Sequence, residues 1–288
     1  MAEESKKEFS LMIASAFYEV KAYAPQIPCL IDAFRVLDEL GIRHTYLQLC
    51  GDSYPCRAKN ALVHSFLKTD FTHLMILDSD ETWDVEGFAR LIRAAMLGPE
   101  IVAGLYPCKN NWEFYGGIPN MRDGFLLGKE IGDVRLLDMW CAPGGFIIYS
   151  REVFDRIRPY VDSYLAPETG EYILECFKNN MEFDGLKRHT KEELGGMDKD
   201  ALVSLVLANQ PGGRKAKRVG EDVFMQLRVR EAGGKIWCEP NINMGHFGIK
   251  EWKGNYHEFL LRQKTANDLE ASLGESQADT KEMLEGLE

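Results

Sequence analysis

Three features of the sequence predict an α/β fold: a mostly parallel central sheet flanked by helices, with a smaller antiparallel part added. Apolar runs of strand length alternate with stretches of helical spacing up to about residue 107. The run "HLMIL" at 73–77 is apolar without alternation, as expected of a strand buried on both faces. Beyond residue 108 the pattern changes to short strand candidates among glycines, which suits antiparallel additions. Parallel neighbours need crossover helices of one preferred hand, so the alternation itself implies the parallel sheet.

The elements follow in order. "FSLMIASAF" (9–17) reads as the first strand; Ile27, Leu30, Ile31, Phe34, Leu37 and Leu40 then keep helical spacing until Gly41. "HTYLQLC" is a second strand, Arg57 to Leu67 a second helix with Ala58, Ala61, Leu62 and Phe66 inward, and "THLMIL" a third strand. A helix from Val85 to Leu97 turns Val85, Phe88, Leu91, Ile92 and Ala95 to one side and stops at Gly98-Pro99. "EIVAGLY" follows as a strand, and "VRLLDMW" and "GFIIY" are shorter candidates flanking "CAPGG". From Pro159 to about Gly220 the sequence is charged and weakly periodic, and it reads as a mobile loop. Order returns with "GEDVFMQLRVREAGGKIWCEP", a helix ending at Gly233-Gly234 and then a strand, with "NINMGHFG" behind it. After about Asn255, the residues Phe259, Leu260, Ala266, Leu269 and Leu273 predict a C-terminal helix.

The 288 residues, 45% hydrophobic, suffice for one large core, and a single domain is expected. "MAEESKKEFS" lacks the apolar centre of a secretory leader, and no later apolar run has the length of a membrane span. A cytoplasmic protein with no membrane partner is the expectation. Seven cysteines, an odd count with no CxxC pair, fit a reducing compartment better than a disulfide framework. A net charge of −11 argues against broad polyanion binding, although "GRKAKR" (Gly213 to Arg218) is a local basic run.

Asp78 and Asp80, with Ser79 between them, follow the apolar run directly. The carboxyl edge of such a strand opens on the crevice where open α/β sheets bind ligands. Two carboxylates at i and i+2 can converge there on one hard cation such as Mg²⁺ or Mn²⁺, which shares its shell with substrate phosphates. Aspartates in turns have a plainer role in backbone bonding, and the short pattern alone leaves both readings open. Glu221 and Asp222 open a helix after Gly220, a place that capping and the helix dipole also explain.

Four stretches, taken in order, resemble the glycosyltransferases of the GT-A fold, family 2-like enzymes and short bacteriophage-type relatives in particular. "GDSYPCRAKNALVHSFL" is similar to the segment with Arg-x-Asn on the helix before the DxD strand, and "LMILDSDETW" to that strand. "MWCAPGGFIIYSREVFDRI" resembles the acceptor-side turn, and "GEDVFMQLRVREAGGKIWCEPNINMGH" the Glu-Asp helix followed by a metal-binding His. Together they cover about 9–158 and 219–250.

The resemblance implies a GT-A-like sheet in one domain over 1–288. Its nucleotide-binding half would span about 9–107, and its acceptor half about 108–250 with the insert at about 159–220, before a helical tail at about 251–288. It implies a sugar moved from a nucleotide-diphosphate sugar to an acceptor hydroxyl, with Mn²⁺ or Mg²⁺ held by Asp78, Asp80 and His246. Asp222 would be the general base with Glu221 beside it, and direct displacement would invert the anomeric centre. Asp52, Ser53, Arg57, Asn60 and Ser79 fall on the nucleotide side, and Trp140, Gly144 and Gly145 on the acceptor side. The family commonly has Arg-Ala-Arg-Asn where this chain has Arg57-Ala58-Lys59-Asn60, a change that keeps the charge. Trp112 and Tyr115, beside Gly116-Gly117, read as packing residues.

The acceptor is open: a glycan, another hydroxyl, or DNA carrying a hydroxylated base, for which the run 213–218 would be a basic lid. Two rivals are a nucleotidyltransferase that makes a nucleotide sugar, and an inactive nucleotide-sugar-binding module. The first usually shows a Gly-rich phosphate loop near the first strand, which "LMIASAFYEV" lacks. The joint presence of Asp78, Asp80, Asp222 and His246 weighs against the second.

Overall fold

The structure is a computed structural model and describes residues 8–18, 22–109, 111–167, 169–183, 194–208, 216–248 and 251–265. Strands β1 (Ser10–Phe17), β2 (Arg43–Cys50) and β3 (His73–Leu77) pair in parallel, with β1 in the middle. Their crossovers are α1 (Gln26–Glu39) and α2 (Pro55–Leu67). After the short β4 (Glu81–Trp83), α3 (Val85–Met96) leads to β5 (Ile101–Ala103). Asp84 caps α3 by accepting from Gly87 N at 2.8 Å, and Gly41 and Gly98 end α1 and α3 at φ of +66° and +88°.

The sheet is completed by β6 (Gly128–Ile131), β7 (Val134–Cys141), β8 (Phe146–Ser150) and, much later in the chain, β9 (Ile236–Cys238). Its order is β6-β7-β9-β5-β8-β3-β1-β2, with Ile118–Pro119 alongside β7, nine strands among the described residues. The predicted mostly parallel sheet is present, since β1, β2, β3, β5 and β9 run one way; β8 runs against its neighbours β3 and β5, and β7 against β9. That reversal places the turn before β8 beside the residues after β3, which decides the geometry of the site.

Both faces of the sheet are covered. Leu11, Ile13, Met75 and Leu77 face α1 and α3, whereas Met12, Ala14, Leu74 and Ile76 face the side of α2, α4 (Arg151–Ile157) and α6 (Glu221–Glu231). Phe88, Leu91 and Ile92 of α3 are wholly buried, each contributing about 1.5–3 kcal/mol of transfer free energy. On α1 the buried stripe is Leu30, Ala33, Val36 and Leu37; Ile27, Ile31 and Leu40, which share the helical spacing, are exposed. Apolar residues on two sides of α1 had left its orientation to the sheet to decide.

The segment from Pro159 to Gly220, expected as a loop, carries elements among its described residues. Ser163–Ala166 pairs with Glu171–Leu174, α5 spans Lys199–Ala208, and Asn180–Phe183 pairs with Ala216–Val219. Cys176 and Phe177 are wholly buried in the core. Their contacts lie far away in sequence, so no local period announced them. Residues 213–215 of the basic run lie outside the described residues. Beyond β10 (Asn243–Phe247) and β11 (Glu251–Asn255), a helix covers 256–265, with Phe259 and Leu260 against the core. Ala266, Leu269 and Leu273 lie outside the described residues. No helix among the described residues is long and apolar enough to cross a membrane.

Candidate active site

β3 ends at Leu77 and delivers Asp78, Ser79 and Asp80 to the carboxyl edge of the sheet. Because β8 is antiparallel to β3, Gly145 comes alongside, and Asp78 N donates to Gly145 O at 2.8 Å. Wholly buried Gln26 secures the turn after β3 from α1, its Nε2 donating to Asp78 O at 2.6 Å and to Glu81 O at 3.1 Å. The chain then enters β4, which pairs with β10 so that His246 stands opposite Glu81. Phe247 N donates to Asp80 O at 2.8 Å and fixes that register.

Asp80, Glu81 and His246 each offer a ligand atom, and these atoms lie within 4.8 Å of one another. Glu81 is wholly buried, and the one hydrogen-bonding group among the described residues that faces its carboxylate is the Tyr106 hydroxyl, which stands outside good hydrogen-bond geometry. Burial first, and then the charges of Asp78 and Asp80, push its acid well above the ordinary glutamate range. A buried carboxylate faced by two more acids is costly unless a proton or a cation meets it, so the residues present fit a divalent ion. His246 Nδ1 donates to Pro107 O at 2.9 Å, which leaves Nε2 as the ligand atom, 3.8 Å from Asp80 Oδ1. Burial pulls its imidazole toward the neutral, metal-binding form. Lys109 places its ammonium on Asp80 Oδ2.

A second cluster lies at the start of α6. Lys59 of α2 is only 6% exposed, and its Nζ is 2.7 Å from Asp222 Oδ1, 3.4 Å from Glu221 Oε1 and 4.0 Å from Asp78 Oδ1. Burial disfavours the ammonium, but Asp222, Asp78 and Glu221 outweigh it and hold Lys59 well above the usual lysine value. Burial raises the Asp78 acid and Lys59 opposes this. The expected ligand Asp78 thus faces Lys59, and Glu81 takes its place in the trio.

Gly144 and Gly145 join the two clusters. Gly144 N donates to Asp222 Oδ2 at 3.2 Å, and Gly145 N donates to Tyr106 Oη at 3.1 Å. A Cβ on Gly144 would stand 2.1 Å from Asp222 Oδ1; one on Gly145 would stand 2.1 Å from Glu81 Oε1 and 2.7 Å from Asp78 Oδ2. Only glycine lets this turn pass between the acids. Gln226, one turn along α6 from Asp222, grips both backbone groups of Ala142, its Nε2 donating to Ala142 O at 2.6 Å and its Oε1 accepting from Ala142 N at 2.7 Å.

The remaining predicted residues are more dispersed. Arg57 and Asp52 form a two-bonded pair at 2.8 and 2.9 Å at the carboxyl edge of β2, and that bond lowers the Asp52 acid. Ser53 is exposed and Ser79 half-buried. Asn60, expected to touch nucleotide, spends its amide on the main chain of Phe177, at 3.0 Å to the carbonyl and 2.8 Å from the N–H. It is a buried tie between α2 and the 159–183 segment. Trp140 is half-buried between buried Met139 and Cys141 on β7. Tyr115 packs on Tyr256 and Phe259 with ring centroids 5.1 Å away, as expected of a packing residue, and the Trp112 side chain lies outside the described residues.

Sequence reading missed Glu81, Lys59, Tyr106 and Lys109. Glu81 had a signal, since it follows Asp80 directly in "DSDE", and Lys59 had one in the departure from Arg-Ala-Arg-Asn.

No protein-family model and no curated protein matches the sequence. Among solved structures, A197 from STIV is similar at 13% identity and a TM-score of 0.43, over 83% of this chain and 86% of that one. GalNAc-T7, solved with UDP, GalNAc and Mn²⁺, is similar at 11% identity and a TM-score of 0.42, over 84% of this chain and 44% of that one. HddC from Yersinia pseudotuberculosis, complexed with GMP-PN, is similar at 10% identity and a TM-score of 0.30, over 51% of this chain and 78% of that one. With TM-scores below 0.5, these likenesses add nothing to the chemistry argued from the site.

Proposed function

We propose that the protein is a metal-dependent glycosyltransferase that moves a sugar from a nucleoside diphosphate to an acceptor hydroxyl with inversion. The observation that carries this reading is Glu81: a wholly buried carboxylate with no cation in contact among the described residues, grouped with Asp80 and His246 at the crevice edge and adjoining a separate acid cluster around Asp222. Asp80, Glu81 and His246 would hold the ion, and their oxygen and imidazole ligands suit Mn²⁺ somewhat better than Mg²⁺. A divalent ion supplies positive charge for the diphosphate as it departs.

This chain's residues do the rest. Lys59 on Oδ1 and Gly144 N–H on Oδ2 hold the Asp222 carboxylate in one orientation. Each oxygen keeps a lone pair with which to take the acceptor's proton. The acceptor oxygen then bonds to the anomeric carbon from the face opposite the diphosphate, and the electrons of the breaking C–O bond leave with the phosphate. DNA with a hydroxylated base is retained as an acceptor class on the strength of the basic run 213–218.

The test is thermal unfolding with nucleoside diphosphates and nucleotide sugars, with Mn²⁺, with Mg²⁺ and with chelator. One base should raise Tm and lose its effect in chelator. Absence of any shift would sink the transferase reading and favour a module with no nucleotide-sugar chemistry. With the donor known, Asp222→Asn should keep donor binding and lower transfer by a factor on the order of 10²–10⁴.

A further inference from the structure

Lys109 sits where the function above would put something else. Its ammonium rests on Asp80, one of the three ligand residues, with Asp80 Oδ1 turned to His246 and Oδ2 to Lys109. It also follows Pro107–Cys108, the short strand whose Pro107 carbonyl orients His246. Two successive features of one segment thus address the metal site: one fixes the imidazole and the other supplies a cation. The stem of Lys109 runs over Gly248, where an added Cβ would already touch its Cβ, Cγ and Cδ at 3.4–3.5 Å. The side chain is nevertheless 43% exposed, so its head is free to move toward solvent.

A lysine and a divalent ion cannot both occupy Asp80 Oδ2 without strong like-charge repulsion. A metal that takes Oδ2, alone or with Oδ1, displaces the ammonium, and one held by Oδ1 still repels it across the same carboxylate; either way Lys109 stays tethered by its own stem beside the metal. The diphosphate of a donor would lie there as well, carrying more negative charge than one divalent ion cancels. We propose that Lys109 is a tethered counter-ion that neutralises Asp80 in the metal-free protein and transfers to the donor's diphosphate when metal and nucleotide bind. This rests on the transferase reading. Lys109 would then be a donor-binding residue that competes with the metal when nucleotide is absent and cooperates with it when nucleotide is present.

The two roles predict effects of opposite sign in one variant. In Lys109→Met, Mn²⁺ titrated into the nucleotide-free protein and followed by electron paramagnetic resonance should bind about two- to fivefold tighter, the worth of a half-exposed ion pair. At saturating Mn²⁺, calorimetry with uridine, guanosine, adenosine and thymidine diphosphates in turn should show the preferred one bound on the order of tenfold more weakly, for loss of a charge-assisted bond. Lys109→Arg should restore most of the nucleotide affinity. An unchanged metal affinity, or an unchanged diphosphate affinity, would overturn the exchange while leaving the transferase reading intact. If neither wild type nor Lys109→Met binds Mn²⁺ more tightly than Asp80→Asn does, the metal site itself is refuted, and the exchange with it.

Discussion

At Lys59 one buried ammonium faces Asp222, Glu221 and Asp78, and the loss of surrounding water makes each of these attractions stronger than a surface pair. Replacing it with methionine would leave three acids crowded without a counter-ion. Lys59→Met should lower stability by about 3 kcal/mol, the low end for breaking a buried ion pair because the partners are 23–42% exposed. Urea unfolding measures this, and a loss below about 0.5 kcal/mol would show that the acids relax into solvent. Legibility at this scale was uneven for a physical reason. Asp78 and Asp80 stand out because charge directly after an apolar strand is conspicuous, whereas Lys59 and Asn60 look like exposed polar residues of a helix start. What makes one a buried counter-ion and the other a tie to Phe177 is a contact made more than a hundred residues away.

Among elements, the turn 142–145 has the tightest constraints. It is held by Gln226 at Ala142, by Asp222 at Gly144 and by Tyr106 at Gly145, and it packs against acids from both clusters. In Gly145→Ala the new methyl would drive Glu81 and Asp78 aside. Mn²⁺ affinity should fall by on the order of tenfold, as for other changes just behind a ligand. An alanine variant with wild-type metal affinity would mean that Glu81 is not a ligand. "CAPGG" reads in sequence as a breaker between two short strands, and it is one. Its second role depends on β8 running antiparallel to β3, and strand direction is set by tertiary pairing that hydrophobic period does not encode. The first half was legible because its strands β1 and β3 are short apolar runs buried on both faces and its helices keep a helical period. The 159–183 segment was not, because buried Ala166, Ile173, Cys176 and Phe177 follow no single strand or helix period.

Across the molecule, buried Glu81, with half-buried Asp78 beside it, sets how stability depends on pH. The folded-state acid of Glu81 lies well above its ordinary value, and that of Asp78 is raised too. In the window above the ordinary carboxylate range the folded chain therefore holds protons that the unfolded chain releases. Stability of the metal-free protein should fall as pH rises above the ordinary carboxylate range, and Glu81→Gln should flatten the slope. Unfolding in chelator across that window checks it; a wild-type slope in the variant would assign the effect elsewhere. The same variant, more stable without metal at the upper end of the window, should bind Mn²⁺ poorly, since an amide is a weaker ligand than a carboxylate.

The distance along the chain between Lys59 and Asp222, 163 residues, also bears on biosynthesis. A ribosome works from the N-terminus, so Asp78, Asp80 and Glu81 emerge long before α6 and β10 supply Asp222 and His246. Until then the first three strands can assemble around their helices, but the acidic edge lacks the neighbours that define it. β9, which lies between β5 and β7 in the sheet, arrives equally late. The order of synthesis thus withholds the complete cluster until most of the protein has been made, and a chain stalled before residue 221 would have the crevice edge without Asp222 and His246.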